Sequence, residues 1–272
     1  MTHVLDEAIA LEQIGPDRFC GRTTEPYANM IGPYGGITAA VLQNSVIQHP
    51  DVLGEPIALT VNFAAAVKYG SFEITARPVR TNRSSQHWVM ELSQDGQVAA
   101  TATAVTAAHR DGWTETESQM PIVPEPHDVA TGTRSTAEWL NRYEMRHIGR
   151  PGATVADPFY LDGESGESSH MALWTREVPP RPVDYASLTA FCDVYFPRVF
   201  VRHGKAVPIS TVSMTAYFHA TKDELNHHGD DYILGVVHGD AFRRGFYDHV
   251  GQLWSRNGTL LATTHQLVYY KA

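Results

Sequence analysis

One acidic side chain stands where the surrounding sequence is almost entirely apolar. Asp193 lies in "LTAFCDVYF", a stretch that we predict to be helical, between Cys192 and Val194. A carboxylate buried among such neighbours needs hydrogen-bond partners, because an unpaired charge is costly to remove from water. A carboxylate held in this way can accept a proton from an attacking water. The alternative is that Asp193 faces solvent from the polar side of its helix.

A second polar side chain stands on an apolar strand face. We interpret the segment "TLLATTHQLVYY" as a half-buried strand, in which successive side chains point alternately to two faces. An amide donates and accepts hydrogen bonds, so Gln266 can orient a water or stabilise a developing negative charge on oxygen. The alternative places Gln266 on an edge strand or an outward face. Within the segment, Gln266 shares its face with Leu260, Ala262, Thr264 and Val268.

Only one of two similar hairpin strands carries that amide. The segment "QDGQVAATATAVTA" matches the later segment "RNGTLLATTHQLVYY" when Gly96 is aligned with Gly258. In this alignment Ala104 occupies the position that corresponds to Gln266. The Asp-Gly and Asn-Gly pairs are both strong hairpin signals. The chain is therefore predicted to contain a duplicated unit whose two copies differ at this position.

The duplication extends to the preceding strands and to one helix in each half. In the strands that precede these, the same alignment matches His87 with His249. When the Ile-Thr pair of the first helix is aligned with the Leu-Thr pair of the second, Leu42 falls opposite Asp193. The second copy alone would then carry both the carboxylate and the amide.

Each half follows the same order of predicted elements, namely one strand, one helix and four further strands. A helix followed by a run of antiparallel strands predicts an α+β unit with the helix laid across the sheet. Apolar spacing and turn residues set the boundaries. The first half has a strand over 17–24, a helix over 37–48 and strands over 55–67, 70–82, 84–94 and 97–108. The second half has a strand over 169–178, a helix over 184–200 and strands over 206–220, 231–242, 244–258 and 259–271.

The stretch between the halves differs in composition. Residues 111–168 are rich in Pro, Glu, Thr and Gly, with one helix candidate over 135–147. A loop this long is unusual inside one compact domain, so we expect a domain boundary here. We predict an N-terminal unit over 1–110, a connector over 111–168 that holds part of the next unit at its end, and a C-terminal unit over 169–272 that carries the active site.

Composition and charge narrow the class of protein. The chain has 272 residues, of which 43% are hydrophobic and 19% charged, and a net charge of −9. This predicts a soluble globular protein that does not bind nucleic acid. No apolar run approaches 18 residues and the start lacks a signal-peptide pattern, so we expect no membrane insertion. The two cysteines, Cys20 and Cys192, fit a reducing compartment and predict a cytoplasmic protein.

Four segments in chain order carry a family resemblance. "YGGITAAVL", "ARPVRTNRSSQHW", "STVSMTAYFH" and "LWSRNGTLLATTHQ" resemble the acyl-CoA thioesterase II family, and the likeness is weakest over 109–168. The resemblance implies a double hotdog fold, in which two antiparallel sheets each wrap around a long central helix. It also implies hydrolysis of fatty or related acyl-CoA to free acid and CoA by a homo-oligomer, without a cofactor, a metal or a covalent intermediate.

The resemblance also assigns site residues. It implies that Asp193, Thr211 and Gln266 hold and activate one water, with one active site per chain. Thr211 alone is weak evidence, because threonine is common in strands. Gly35 and Gly36 of the "YGG" motif precede the first helix, where free N–H groups can contact a substrate. A tight turn that needs glycine explains these two residues equally well.

Other functions remain open on the same fold. A non-catalytic hotdog protein would bind acyl-CoA or another lipid without hydrolysing it. An acyl-CoA hydratase is less well supported, because hydratases of this fold pair Asp with a His about five residues on, where this chain has Arg198. The sequence contains no G-x-S-x-G and no H-E-x-x-H motif, so it indicates neither a serine hydrolase nor a zinc hydrolase of that kind.

Overall fold

The computed structural model describes residues 2–110, 112–132, 137–149 and 166–272. The helices are α1 (Val4–Ala8), α2 (Gly35–Ile47), α3 (Tyr185–Phe191), α4 (Arg198–His203) and α5 (Lys222–His228). The N-terminal half contains strands β1 (Glu12–Gly15), β2 (Arg18–Arg22), β3 (Glu55–Phe63), β4 (Ser71–Thr81), β5 (Ser85–Gln94) and β6 (Gln97–Ala107). The C-terminal half contains β7 (Tyr143–Gly149), β8 (Met171–Glu177), β9 (Ile209–Phe218), β10 (Ile233–His238), β11 (Phe242–Arg243), β12 (Phe246–Ser255) and β13 (Leu260–Tyr270).

Strands form where buried and exposed residues alternate. In β5, Trp88, Met90 and Leu92 are buried, while the residues between them face outward. This period of two is the pattern from which the strands were predicted, and each predicted strand contains an observed one. The short elements α1, β1 and α5 have no equally clear periodicity and were not predicted.

The strands form one continuous sheet, whereas the family resemblance implies two antiparallel sheets, one around each central helix. Its order is β1-β2-β4-β5-β6-β3-β9-β13-β12-β10-β8-β7, with β11 paired to β12. The pairings recorded between these strands are all antiparallel. Strands β1 to β6 occupy one half in the order 1-2-4-5-6-3, and the other half repeats that order. The shared order supports the duplication that the sequence predicts.

The two halves join where β3 pairs with β9. Leu59 lies opposite Ala216 and Val61 lies opposite Met214, with Thr60 opposite Thr215 between them. The two threonine Oγ1 atoms lie 3.0 Å apart, within hydrogen-bond distance. Backbone hydrogen bonds across this pair of strands fuse the halves, so the two implied sheets are continuous with each other.

Helix α2 packs against the sheet of the N-terminal half. It has 13 residues, and those from Gly36 to Val46 are all buried. It packs against β3, β4, β5 and β6 and also against α3. The predicted first helix is thus confirmed as a long central helix. No helix in the described ranges has the length and apolar character needed to cross a bilayer.

The second helix is much shorter than predicted. Helix α3 has seven residues and ends at Phe191, and α4 begins only at Arg198. The prediction of one helix over 184–200 was therefore wrong. A proline disfavours the helical conformation in the residue before it, so Pro197 prevents helix at Phe196. This restriction does not explain why α3 already ends at Phe191, five residues before Phe196. Asp193 lies in a turn after α3 and not within a helix.

The β5–β6 and β12–β13 hairpins differ by one residue in the length of their loops. Asp95 and Gly96 both have positive φ, 51° and 73°, as a two-residue type I′ turn requires. In the second hairpin only Gly258 has positive φ, at 86°, and the loop is longer. Four residues separate Ser93 from its partner Val98, whereas five separate Trp254 from Leu260.

The extra loop residue shifts β12 by one position relative to β5. Ala104 pairs with Trp88, and Gln266 pairs with His249. The predicted equivalence of His87 and His249 was therefore wrong. His87 faces outward and is exposed, while His249 faces inward and is only 4% exposed.

The end of the predicted connector belongs to the sheet. Residues 137–149 form a 3-10 turn at Glu138–Arg142 and then β7, which pairs with β8. The helix predicted over 135–147 was therefore wrong, and its first two residues lie outside the described ranges. Arg146 of β7 donates hydrogen bonds to the carbonyls of Pro126 and Val129. These bonds attach the preceding extended segment to the sheet.

The threonine pair at the junction of the halves gives a first prediction. Thr60→Val or Thr215→Val alone leaves one half-buried hydroxyl without its partner, so each should lower the free energy of unfolding by about 1 kcal/mol. The double variant should lose less than the sum of the two, because neither hydroxyl then remains. Urea unfolding measures all three values. Thr75→Val, at an exposed position on β4, serves as the control. If the loss in the double variant equals the sum of the losses in the two single variants, the hydroxyls of Thr60 and Thr215 do not interact.

Candidate active site

Asp193 follows the C-terminal end of α3 and meets the N-terminal end of α2. The backbone N–H of Gly36 donates a hydrogen bond to its carboxylate. A Cβ atom added to Gly35 would lie only 2.8 Å from Asp193 Oδ2, so any larger residue would push the carboxylate away. The structure therefore brings Asp193 together with both glycines of the "YGG" motif.

Gln266 holds the same carboxylate from the sheet. Its side chain points inward from β13 and is 4% exposed, as the alternation of that strand predicts. Its Nε2 atom donates to Asp193 Oδ1 and to the Cys192 carbonyl oxygen, each at 3.0 Å. Carbonyls in the last turn of a helix lack intrahelical donors. One amide thus caps the end of α3 and orients the carboxylate.

Thr211 reaches the inner face of the sheet through a β-bulge. Leu267 pairs with Ser213 but Val268 pairs with Thr211, so the intervening Val212 has no partner. Directly paired residues share a face, which puts Thr211 on the same side as Val268 and Gln266. Within the described residues its hydroxyl makes no hydrogen bond to Asp193 or Gln266. Diagonal neighbours on one face lie about 7–8 Å apart, a separation that leaves room for a water.

The N-terminal half has the same backbone features without these polar groups. Its β3 also bulges, because Pro56 pairs with Thr106 while Ala58 pairs with Val105. Pro56 therefore corresponds to Thr211, just as Ala104 corresponds to Gln266. Leu42, which the sequence alignment places opposite Asp193, is fully buried within α2. The polar set is a property of the C-terminal half.

Tyr34 is a site residue that sequence reasoning missed. It precedes α2, and its hydroxyl donates to the Ala190 carbonyl oxygen in α3 at 2.6 Å. Its ring stacks on Trp139 with centroids 4.0 Å apart. A Cβ on Gly36 would lie 2.4 Å from this ring, which explains the second glycine of the motif. The aromatic residue of "YGG" was the available signal, since it fixes the two helix ends against each other.

The environment shifts the protonation of Asp193. Burial raises the pKa of its carboxyl from 3.8 to about 7, and this outweighs the hydrogen bonds from Gln266 and Gly36, which favour the ionised form and lower the pKa. Burial also raises the pKa of the Tyr34 hydroxyl, which stays protonated. The site thus contains a carboxyl group able to exchange a proton near neutral pH.

Comparison with known proteins agrees with this architecture. The sequence matches the family model for the acyl-CoA thioesterase N-terminal domain over residues 24–107 and the model for the C-terminal domain over residues 117–270. No curated protein sequence matches the chain. The C-terminal model takes in most of the stretch that we predicted to be a connector.

Solved structures share the fold over the full length. A conserved protein of unknown function with a hot dog fold from Alicyclobacillus acidocaldarius is 43% identical, with a TM-score of 0.93 over 100% of this chain and 99% of the other. An acyl-CoA thioesterase II from Mycobacterium marinum is 16% identical, with a TM-score of 0.79 over 98% of each chain. The tesB protein of Mycobacterium avium subs paratuberculosis is 16% identical, with a TM-score of 0.80 over 98% of each chain. At 16% identity the likeness concerns the fold alone.

The C-terminal family model alone spans more than half of the sequence, and the two models together cover both halves of the sheet. The chain therefore belongs to the acyl-CoA thioesterase family and is a thioester hydrolase.

Proposed function

We propose that the protein hydrolyses fatty or related acyl-CoA at Asp193, using one water held by Asp193, Thr211 and Gln266. The observation that carries this proposal is the setting of Asp193. Its carboxylate is partly buried where the ends of α2 and α3 meet, it accepts hydrogen bonds from Gln266 and Gly36, and its pKa is about 7. A carboxylate with that pKa suits a general base at neutral pH.

The reaction needs no covalent intermediate. Water attacks the thioester carbonyl carbon as Asp193 accepts the proton, and the carbon–sulfur bond then breaks to release the CoA thiolate. The protonated Asp193 or solvent returns a proton to that sulfur. The Gln266 amide donates to Asp193 Oδ1. Asp193 Oδ2 lies beside Gly35, which has no side chain to fill the space next to it. We infer that Oδ2 is the basic atom.

The surrounding groups supply orientation and charge stabilisation. Both amide hydrogens of Gln266 are in use, so its oxygen is the atom available to accept a hydrogen bond from the water. Thr211 shares that face of the sheet and can bind the water from the other side. The N-terminal end of α2 carries partial positive charge. The Gly36 N–H already donates to Asp193, so Gly35 is the residue at that end that would favour the negative oxygen formed during attack.

Further proposals concern the architecture, the assembly and the location of the protein. We propose that each half is a hotdog unit, that each chain has one active site, and that the N-terminal half acts as a packing partner. We also propose that the protein acts in the cytoplasm as a homo-oligomer and requires no metal or cofactor. A protein that binds acyl-CoA but releases no thiol would instead be the non-catalytic alternative.

Replacing the proposed base should abolish turnover. Asp193→Asn keeps the hydrogen bond with Gln266 possible but removes the proton acceptor, so kcat should fall by about 100-fold to 10,000-fold while acyl-CoA still binds. Thiol release from acyl-CoAs of increasing chain length measures the rate, and calorimetry measures binding. Asp95→Asn, in the exposed first hairpin, is the matched control. Wild-type rates in Asp193→Asn would refute the proposed mechanism.

The same variant should be more stable than the wild type at high pH. The folded protein holds the Asp193 proton up to about pH 7, while the unfolded chain releases it near pH 3.8. The wild type therefore loses stability as pH rises through that window, and Asn does not. Asp193→Asn should gain at most about 4 kcal/mol above pH 7 and nothing below pH 4. Urea unfolding at both pH values tests this, and an equal difference at the two would contradict it.

The pH dependence of activity should report the same group. Because the ionised carboxylate is the active form, kcat/KM should rise with pH through an apparent pKa of about 7. Gln266→Leu removes a hydrogen bond that favours the ionised form, so this variant should be slower and its apparent pKa higher. Gln97→Leu at an exposed position provides the control. An unchanged or lower apparent pKa in Gln266→Leu would exclude its role at the carboxylate.

A further inference from the structure

Four exposed side chains form a row across the outer face of the sheet, at one end of the C-terminal half. Arg243 of β11 pairs with Phe246 of β12, which in turn pairs with Tyr269 of β13. Tyr269 also pairs with Ser210 of β9. Directly paired residues share a face. This face is the outer one, because the neighbouring Val268 is buried and points inward while all four residues of the row are exposed.

The middle of this row is an exposed aromatic pair. Phe246 and Tyr269 are each 41% exposed, and their ring centroids lie 5.6 Å apart with 67° between the ring planes. Apolar ring surface in contact with water is unfavourable. A flat aromatic ligand that stacks on these rings would remove part of that surface from water, and the bases of nucleotides bind aromatic side chains in this way.

Three positively charged side chains flank the aromatic pair. Arg243 and Arg244 line an open hollow at the surface. Lys271 is exposed and lies two residues beyond Tyr269, so the alternation of the strand places it on the same outer face. Its backbone N–H donates to the carbonyl of Pro208, which continues the pairing of β13 with the chain that leads into β9. The cations and the rings thus share one surface.

No carboxylate lies within ion-pair distance of these three cations in the part of the chain that the structure describes. The acidic residues closest in sequence to the two arginines have other partners. Asp248 accepts hydrogen bonds from the backbone N–H groups of Asp240 and Ala241, and Asp240 lies 3.3 Å from His238. In a chain with a net charge of −9, this surface therefore favours an anion.

The turn that presents Arg244 is strained. Arg244 and Gly245 have positive φ, 52° and 80°, as a two-residue type I′ turn requires. Such turns favour Asn, Asp or Gly at the first position, which Asp95 occupies in the β5–β6 hairpin. An arginine is unfavourable there, because its Cβ crowds the backbone. Local folding therefore does not account for an arginine at this position.

The row lies close to the active site along the same strands. Tyr269 follows Gln266 by three residues in β13, a distance of about 10 Å. Thr211, which points to the inner face, directly follows Ser210 in β9. β13 ends one residue after Tyr269, and β9 begins one residue before Ser210. A flexible chain can therefore pass from the inner face around these strand ends to the row on the outer face.

We propose that Arg243, Arg244, Phe246, Tyr269 and Lys271 form a nucleotide site, in which an adenine ring stacks on the aromatic pair and its phosphates bind the three cations. Guanidinium groups bind phosphate through paired N–H donors. Acyl-CoA carries an adenine nucleotide at the end of a flexible arm, remote from its thioester, so the substrate itself supplies this ligand. The assignment to acyl-CoA rests on the proposed function. A free adenine nucleotide has the same chemistry, and experiment separates the two sources.

Two forms of the substrate isolate the contribution of the nucleotide. In Arg243→Ala/Arg244→Ala, KM for an acyl-CoA should rise by about 10-fold with kcat within about 2-fold, because phosphate contacts bind substrate and transition state alike. KM for the matching acyl-pantetheine, which lacks the nucleotide, should not change. Arg80→Ala/Arg83→Ala removes two exposed arginines from the N-terminal half and should change neither KM.

The aromatic pair is tested by keeping or removing one ring. Tyr269→Phe should leave KM for acyl-CoA within about 2-fold, whereas Tyr269→Ser should raise it by about 5-fold to 10-fold through loss of stacking. Urea midpoints check that both variants fold. Val89→Ser, at an exposed apolar position on the outer face of β5, is the matched control. The same KM in Tyr269→Ser as in the wild type would exclude stacking.

Calorimetry with ADP measures the site without turnover. ADP should bind the wild type and compete with acyl-CoA, and the arginine double variant should bind it about 10-fold more weakly. Inorganic phosphate, which has no base, should bind both proteins more weakly than ADP binds the wild type.

The outcomes separate the site from its assignment and from the proposed function. ADP binding that the variant loses, without competition and with an unchanged KM for acyl-CoA, would support a site for a free nucleotide and overturn the assignment to acyl-CoA. Equal KM changes with both thioesters, or no ADP binding together with an unchanged KM, would overturn the site. A wild type that binds ADP through these arginines but hydrolyses no thioester would refute the proposed function alone.

Discussion

The Gln266 amide donates to two acceptors that need partners, the carbonyl of Cys192 and the carboxylate of Asp193. Through these two bonds the last strand holds both the end of α3 and the acidic group that follows it. Without the amide, the helix end would lose its cap and the carboxylate would lose a partner that favours its charge. The position of Asp193 therefore depends on a residue more than seventy positions later in the chain.

A carboxylate in this setting opposes stability. Burial raises the pKa of Asp193, and this effect is larger than the lowering by the hydrogen bonds from Gln266 and Gly36. Ionisation of Asp193 at neutral pH therefore lowers the stability of the folded protein. The N-terminal half shows the arrangement without that opposition, with Pro56 and Ala104 at the corresponding strand positions. Functional sites commonly retain such locally unfavourable groups, because the chemistry requires them.

Periodicity in the sequence was sufficient for the strands and for the inward face of Gln266, because both depend on local alternation. It was insufficient where one residue changes the register. The longer loop at Gly258 moves His249 next to Gln266, and the bulge at Val212 turns Thr211 inward. Neither change alters the alternating pattern by which strands are recognised. Pro197 indicates a break directly before α4, but it does not account for the end of α3 at Phe191, six residues earlier.

The pairing of β3 with β9 has a consequence for how the polypeptide can be divided. Only β1 and β7 lie at the outer edges of the described sheet, because the other two potential edges cover each other. Cut between the halves, the chain would expose a nine-residue edge on one fragment and a ten-residue edge on the other. Unpaired strand edges of this length recruit further strands. Neither fragment would then be a well-behaved monomer, because each would have to cover its exposed edge with another strand.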